Sequence, residues 1–266
     1  GGGGGGGGVA DGGGAACNLS VLAYDGVWLA APRTQASLLL PPGGRAEVLI
    51  GCARGGVFAF GSRGSRDYGG VLSEGAVAVL DVAYAAPAYM PPIAYDMPPP
   101  VDKTAPRHVG MKELPASLPG APKHYGDLRH LAGQVAQRAR TLTFSTPSGE
   151  YTIDGRSFNL SRDDFVLKLG SIVEWRLISA EEPQSARKLH PYHQHMSHFQ
   201  VVSVSGAAPA GPLLAAVGDW RDTLPLYGSL SYTIRFVAPF LGRMMVHCHI
   251  QKHSEGGMMA LARIER

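Results

Sequence analysis

The sequence is poor in charge and in sulfur. Only 17% of its 266 residues are Asp, Glu, Lys or Arg, and no run of Lys or Arg lies behind the formal charge of +3. The electrostatic footprint of a nucleic-acid binder or of a polybasic membrane patch is therefore missing. The three cysteines, Cys17, Cys52 and Cys248, form no C-x-x-C pair, which excludes a zinc ribbon and a thioredoxin-like redox motif. Cys17 and Cys52 fit either a disulfide or two buried thiols. Long apolar runs are also lacking. The most apolar stretch, residues 76–90, is broken by Asp81 and Pro87 and falls short of the ~20 residues a membrane helix needs. We therefore expect no transmembrane segment, and no repeat of about 20–50 residues is apparent.

What the chain has in quantity is turn material, 36 Gly and 20 Pro, which with 45% hydrophobic residues favours an all-β architecture. Residues 1–15, beginning with eight glycines, have no side chains able to build a core and read as disordered. Gly1 in place of an initiator Met reads as an internal edge or a linker, so the lack of a signal peptide carries no information. Over 16–90, short β-rich runs such as Leu19-Ser20-Val21-Leu22 and Ala46-Glu47-Val48-Leu49-Ile50 alternate with turns such as Pro41-Pro42-Gly43-Gly44, as in antiparallel sheet. Over 91–138 the prolines, including Pro98-Pro99-Pro100, deny the chain a regular ladder and imply an extended connection, with a short helix expected from Asp127 to Ala139. A second β-domain follows over 139–266.

Two segments of this last domain concentrate metal-binding side chains. In His247-Cys248-His249 a strand would project both imidazoles to one side and the thiol to the other. His190-Pro191-Tyr192-His193-Gln194-His195 repeats the design, with His193 and His195 sharing a parity opposite to that of His190. Cys248 and His190 thus fall on one side, where His253 and Met258 can join them. A thiolate, two imidazoles and a weak thioether are the donors of a blue-copper site. On the other side stand His193, His195, His247 and His249, suited to further copper ions. Zinc could use the same atoms, but one cysteine with C-x₄-H-x₄-M spacing fits copper better.

These motifs, H-P-Y-H-Q-H at 190–195, W-R-D-T at 220–223 and H-C-H-I-Q-K-H-S-E-G-G-M at 247–258, resemble the C-terminal domain of the multicopper oxidases. The stretch from Asp25-Gly26-Val27-Trp28 to Leu39-Leu40-Pro41-Pro42-Gly43-Gly44-Arg45-Ala46 looks like the late part of that family's middle domain. The resemblance implies cupredoxin-type Greek-key β-sandwiches, one partial and one complete. It further implies a type 1 copper on His190, Cys248, His253 and Met258, a type 2 copper served by His193, and a type 3 pair served by His195, His247 and His249. The implied reaction is one-electron oxidation of a small reductant, a phenol or a metal ion, coupled to reduction of dioxygen to water. Cys248, His247 and His249 would be its catalytic residues, and Glu255 would relay protons as acidic residues near the oxygen site do in the family.

Two departures from the family pattern stand out. Met196 occupies the place where the family commonly has Gly, so the local turn is expected to differ. The two further H-x-H pairs of the family's first domain are absent, and His108, His124, His130 and His198 form no such pair. A first cupredoxin domain is thus either missing or supplied by another chain. The competing reading is a mononuclear blue-copper electron carrier. Those four histidines read as surface or core residues. Met244, Met245 and Met259 read as core filler rather than a Cu(I)-accepting surface. Asp222 reads as one half of an ordinary ion pair. The sequons at Asn18 and Asn159 lean toward secretion.

Overall fold

The computed structural model describes residues 17–35, 37–52, 56–62, 75–82, 131–136, 138–181, 189–206, 215–228 and 230–266. The expected glycine-rich segment and the proline-rich connection up to residue 130 lie outside them. The described residues are almost entirely β, with one short helix.

The N-terminal part begins with a hairpin of β1 (Asn18–Tyr24) and β2 (Val27–Gln35), and β3 (Ala46–Gly51) flanks β1 to give the order β2-β1-β3. The hairpin turn is Asp25-Gly26, with φ of 50° and 80°, and these left-handed values explain why a D-G pair joins the strands. A β-bulge between Val21 and Ala23 brings Tyr24 into one buried cluster with Leu19, Val21 and Leu29. A second hairpin pairs β4 (Gly56–Ser62) with β5 (Gly75–Val82).

Of the two arrangements left open for Cys17 and Cys52, the structure has the disulfide, closing a separation of 35 residues beside the Asn18↔Gly51 pair. A cross-link over such a loop stabilises by roughly 2–4 kcal/mol, mainly by restricting the unfolded chain. Replacing both cysteines by Ser should lower unfolding stability by about that amount in chemical denaturation, and an unchanged midpoint would refute the contribution.

The C-terminal part is a two-sheet sandwich. One sheet has the order β13-β10-β15-β16-β8 and the other β12-β11-β14-β9-β6-β7. The first comprises β8 (Phe165–Lys168), β10 (His190–Gln194), β13 (Thr223–Leu226), β15 (Gly242–Cys248) and β16 (Met259–Glu265). The second comprises β6 (Arg138–Ser145), β7 (Thr152–Ile153), β9 (Ile172–Ser179), β11 (Phe199–Gly206), β12 (Trp220–Arg221) and β14 (Leu230–Val237). Pairing is antiparallel except for β6 with β9 and β8 with β16. Period-two burial fills the space between the sheets: Val173, Trp175 and Leu177 from β9 meet Tyr232, Ile234 and Phe236 from β14, with Trp175 edge-on to Phe236 at 4.9 Å between ring centres.

The helix expected over Asp127–Ala139 is not found where that range is described. Residues 132–134 form a turn and β6 begins at Arg138. The cause is tertiary: Arg235 Nη1 donates to the carbonyls of Leu131, Ala132 and Gln134 at 2.6–2.9 Å, and a helical turn would need those acceptors for itself. Leu131, with 1% of its surface exposed, anchors the segment.

Candidate metal centre

β10 and β15 are adjacent antiparallel strands, with Tyr192 opposite Cys248 and His193 opposite His247. The pleat then sorts the side chains as their parity requires. His190 and Cys248 are fully buried, and His253, on α1 (Gln251–Glu255), reaches them from the loop beyond β15. The Nδ1 atoms of His190 and His253 are 3.2 Å apart, and Cys248 Sγ lies 3.9 Å from the first and 3.5 Å from the second. The Nε2 of His190 is engaged by the buried Glu181 carboxylate, whose other oxygen accepts from Thr146 Oγ1 at 2.6 Å. A carboxylate on Nε2 holds the proton there and leaves the Nδ1 lone pair facing Cys248. Burial pushes the Cys248 thiol up to about 12, against the opposing backbone amide of Ile250. A cation is what would make the thiolate stable in such a place.

Met258 is fully buried beside this group, its carbonyl accepting from the Cys248 amide at 3.0 Å and its own amide donating to His253 O at 2.9 Å. Tyr151 stacks on the His253 ring, 4.5 Å between centres and 24° between planes. Gly256 makes this possible, since a Cβ there would come within 3.0 Å of Tyr151 Cε2 and of Lys252 O.

On the opposite side, the Nε2 atoms of His195 and His247 face each other at 3.0 Å. His193 completes a group of three converging ring nitrogens. His249 stands alongside, its ring centre 5.2 Å from His193 and 5.3 Å from His247. His193 Nδ1 lies 3.0 Å from the Asp222 carbonyl and His247 Nδ1 lies 2.9 Å from the Cys248 carbonyl. Carbonyls only accept, so both Nδ1 atoms carry the proton and both Nε2 atoms present a lone pair, that of His247 toward His195 Nε2. Burial lowers the His247 imidazole to about 4; the Cys248 carbonyl opposes this and the neighbouring imidazoles reinforce it. Burial likewise lowers His195, aided by His193 and His249 and opposed by Asp222. Neutral, mutually facing imidazoles fit a metal's requirements.

Asp222 is more than half of an ordinary ion pair. Its carboxylate takes both Nη atoms of Arg45, at 2.8 and 2.6 Å, and the Thr223 hydroxyl at 2.8 Å. Burial alone would raise its carboxyl, but hydrogen bonds from His193, Arg45 and Thr223 overcome this and hold it well below the usual carboxylate range. His198 donates to the Asp25 carbonyl at 2.8 Å. Glu255 is exposed at the end of α1, accepting from Gln251 at 2.8 Å, and belongs to neither group of converging donors. Met244 packs in the core. Met196 is exposed with φ of 67°, so it holds the left-handed conformation for which Gly is the usual residue. Glu181 and Tyr151 were not singled out by sequence reasoning; Gly43 and Arg45 lay within the Leu39–Ala46 stretch that resembles the family's middle domain, but no role was read for them.

The donor chemistry fits copper. A buried thiol with two imidazoles suits a soft ion, and the facing imidazoles suit copper as well. The sequence model of the multicopper oxidases matches residues 129–265. The chain belongs to the multicopper oxidase family. It is 30% identical over 115 residues to the multicopper oxidase mco of Staphylococcus aureus, covering 43% of this chain and 25% of that protein. It is 26% identical over 157 residues to the laccase of Bacillus subtilis (strain 168), covering 52% and 30%. Among solved structures it resembles the McoA multicopper oxidase of Aquifex aeolicus, with a TM-score of 0.68 at 21% identity over 96% of this chain and 51% of that one. It also resembles a multicopper oxidase from Campylobacter jejuni, with a TM-score of 0.65 at 20% identity over 94% and 49%. The sandwich is thus of the cupredoxin type found in these oxidases. The chain spans about half the length of these two structures and less than a third of these two sequence relatives.

Proposed function

We propose that this chain carries the electron-accepting and part of the oxygen-reducing machinery of a multicopper oxidase. In this reading His190, Cys248, His253 and Met258 hold a type 1 copper, and His193, His195, His247 and His249 hold part of a type 2 and type 3 cluster. The observation that carries it is the strand register, Tyr192↔Cys248 and His193↔His247, which sets the thiol group and the imidazole group back to back across the peptide bonds of residues 247–249. When bound, copper supplies one-electron oxidation of a reductant on the sulfur side and reduction of dioxygen to water on the imidazole side.

The protein's own residues serve that chemistry in identifiable ways. Glu181 keeps the His190 proton on Nε2. The Cys248 amide, bonded to Met258 O, ties the two sulfur residues together. Buried Tyr192, Phe199 and Leu224 keep water from the thiol. The peptide bonds on either side of Cys248 are a covalent route between the two groups. We propose a phenol or a metal ion as the reductant and, since disulfides persist in oxidising compartments, an exported protein. Further cluster ligands would come from a first cupredoxin domain, in the same polypeptide or another chain.

A one-copper electron carrier is the second reading, favoured by one fact: outside the two motifs the sequence has no H-x-H pair. Copper content, visible absorption and electron paramagnetic resonance on one purified sample separate the two. An intense blue band with additional, non-blue copper supports the oxidase. About one copper with the blue signal alone means that the type 1 site forms by itself and that oxidase activity needs ligands beyond this chain. That outcome is followed by adding a first-domain partner and measuring whether non-blue copper appears, as with a carrier it never would. A protein that takes up no copper refutes both.

A further inference from the structure

Resting on the copper reading above, we propose that the turn at residues 41–45 of the N-terminal part is a positioning device for the imidazole side, holding His249 by the backbone of Gly43 and His193 through Arg45 and Asp222.

Gly43 lies against the His249 ring. A Cβ at this position would come within 2.7 Å of the ring Cγ and 2.8 Å of Nε2, closer than real Cβ contacts allow. The residue also has φ of +82°, so glycine is required by both conformation and space. The turn is thereby a wall that stops the His249 ring from swinging toward the N-terminal sheet. Arg45 fixes the wall in place, donating from Nη1 to Gly43 O at 2.7 Å. The same guanidinium grips Asp222, across 177 positions of sequence, in a two-pronged pair, the geometry in which Arg is most directional. The carbonyl of that same Asp222 accepts from His193 Nδ1, as does the Thr223 hydroxyl, which itself donates to the Asp222 carboxylate. One side chain thus connects the wall behind one imidazole with the anchor of another.

Asp25 ties the assembly from beneath. It is buried, with one oxygen accepting the Arg45 amide at 3.0 Å and the other accepting the amides of Asp222 and Thr223 at 3.1 and 3.2 Å. None of Gly43, Arg45 or Asp25 belongs to the converging donor groups, so their action is indirect. A plainer role for Arg45 is docking the two parts together, as Arg33 does through Asp219 at 2.9 Å. Arg33 grips Asp219 rather than the Asp222 that supports His193, and is the natural control.

The test uses the whole chain with Arg45→Gln, Gly43→Ala and, as control, Arg33→Gln. Two readouts apply: long-range ¹H–¹⁵N spectra of the imidazoles without metal, and Cu(II) titration followed by paramagnetic resonance and the blue band. Arg45→Gln should release His193 from its Nδ1–H tautomer, and Gly43→Ala should shift the His249 resonances. Both should weaken non-blue Cu(II) binding by roughly 10- to 100-fold, the usual effect of losing a supporting group, while the blue band persists. Arg33→Gln should leave the imidazole spectra and copper affinities unchanged. The proposal is overturned if Arg33→Gln and Arg45→Gln give the same changes, or if Gly43→Ala leaves His249 as in the parent. Because the imidazole spectra need no metal, a parent protein that binds no copper would sink the oxidase reading while leaving the positioning of His193 and His249 measurable.

Discussion

On the proposed copper assignment, Cys248→Ser is expected to abolish the intense blue absorption of the copper-loaded protein and, in the complete oxidase, to stop electron transfer from the reductant. Serine is nearly isosteric, and its hydroxyl can use the same Nδ1 atoms of His190 and His253, so the sandwich should survive. What is lost is the thiolate, the strong soft donor of this group, leaving two imidazoles and the weak thioether of Met258. Turnover should therefore fall by more than the roughly 10- to 100-fold typical of removing a supporting residue. Non-blue copper at His193, His195 and His247 should remain, because those side chains project from the other face. Visible absorption and copper content on the same sample check this, and a blue band that survived the substitution would remove Cys248 from the site.

The second large effect is on stability. Asp219 has 3% of its surface exposed and receives three partners: Arg33, Arg221 at 3.0 Å and the Ala216 amide at 3.0 Å. Arg221 is itself buried and lies over the Tyr24 ring at 3.4 Å. Asp219→Asn would remove the carboxylate that Arg33 and Arg221 share in the seam between the two parts, and breaking a buried pair by removing one partner typically costs about 3–5 kcal/mol. A fall in the denaturation midpoint by much less would mean that the seam rearranges to admit water. The same carboxylate gives a pH dependence of known sign. Burial works to raise it, but the bond from Arg33, the charge of Arg221 and the Ala216 amide prevail, so its folded value lies below the ordinary 3.8. Its contribution is then fully present above that ordinary value and is lost as pH falls through the folded one. In Asp219→Asn this part of the acid sensitivity should disappear.

How much of this was legible in the sequence depends on distance along the chain. The separation of Cys248 from His247 and His249 follows from the two-residue repeat of a strand, and β10 and β15 conform to it. The all-β character followed from turn residues and short β-rich runs. Residues 127–139 were misread where they are described because a helical pattern is a local quantity, whereas the carbonyls of Leu131, Ala132 and Gln134 are claimed by Arg235, about a hundred positions later. Asp222 looked ordinary for the same reason. Its partner Arg45 lies in the turn before β3, 177 positions away, and no spacing rule links the two. Glu181 and Tyr151 each gain significance only from a histidine that the fold brings alongside.

The three donors on the sulfur side, His190, Cys248 and His253, span 63 positions of sequence, and the strand between two of them pairs with β10 only in the closed sandwich. An unfolded chain therefore offers no comparable cradle. Any ion that prefers these atoms when gathered acts as a ligand of the native state alone and displaces the folding equilibrium toward it, by about 2.7 kcal/mol when its free concentration is a hundred times its dissociation constant. On the proposed copper assignment, the resistance of this protein to heat and proteases should therefore rise with the supply of the ion, which makes that resistance an assay of metal loading.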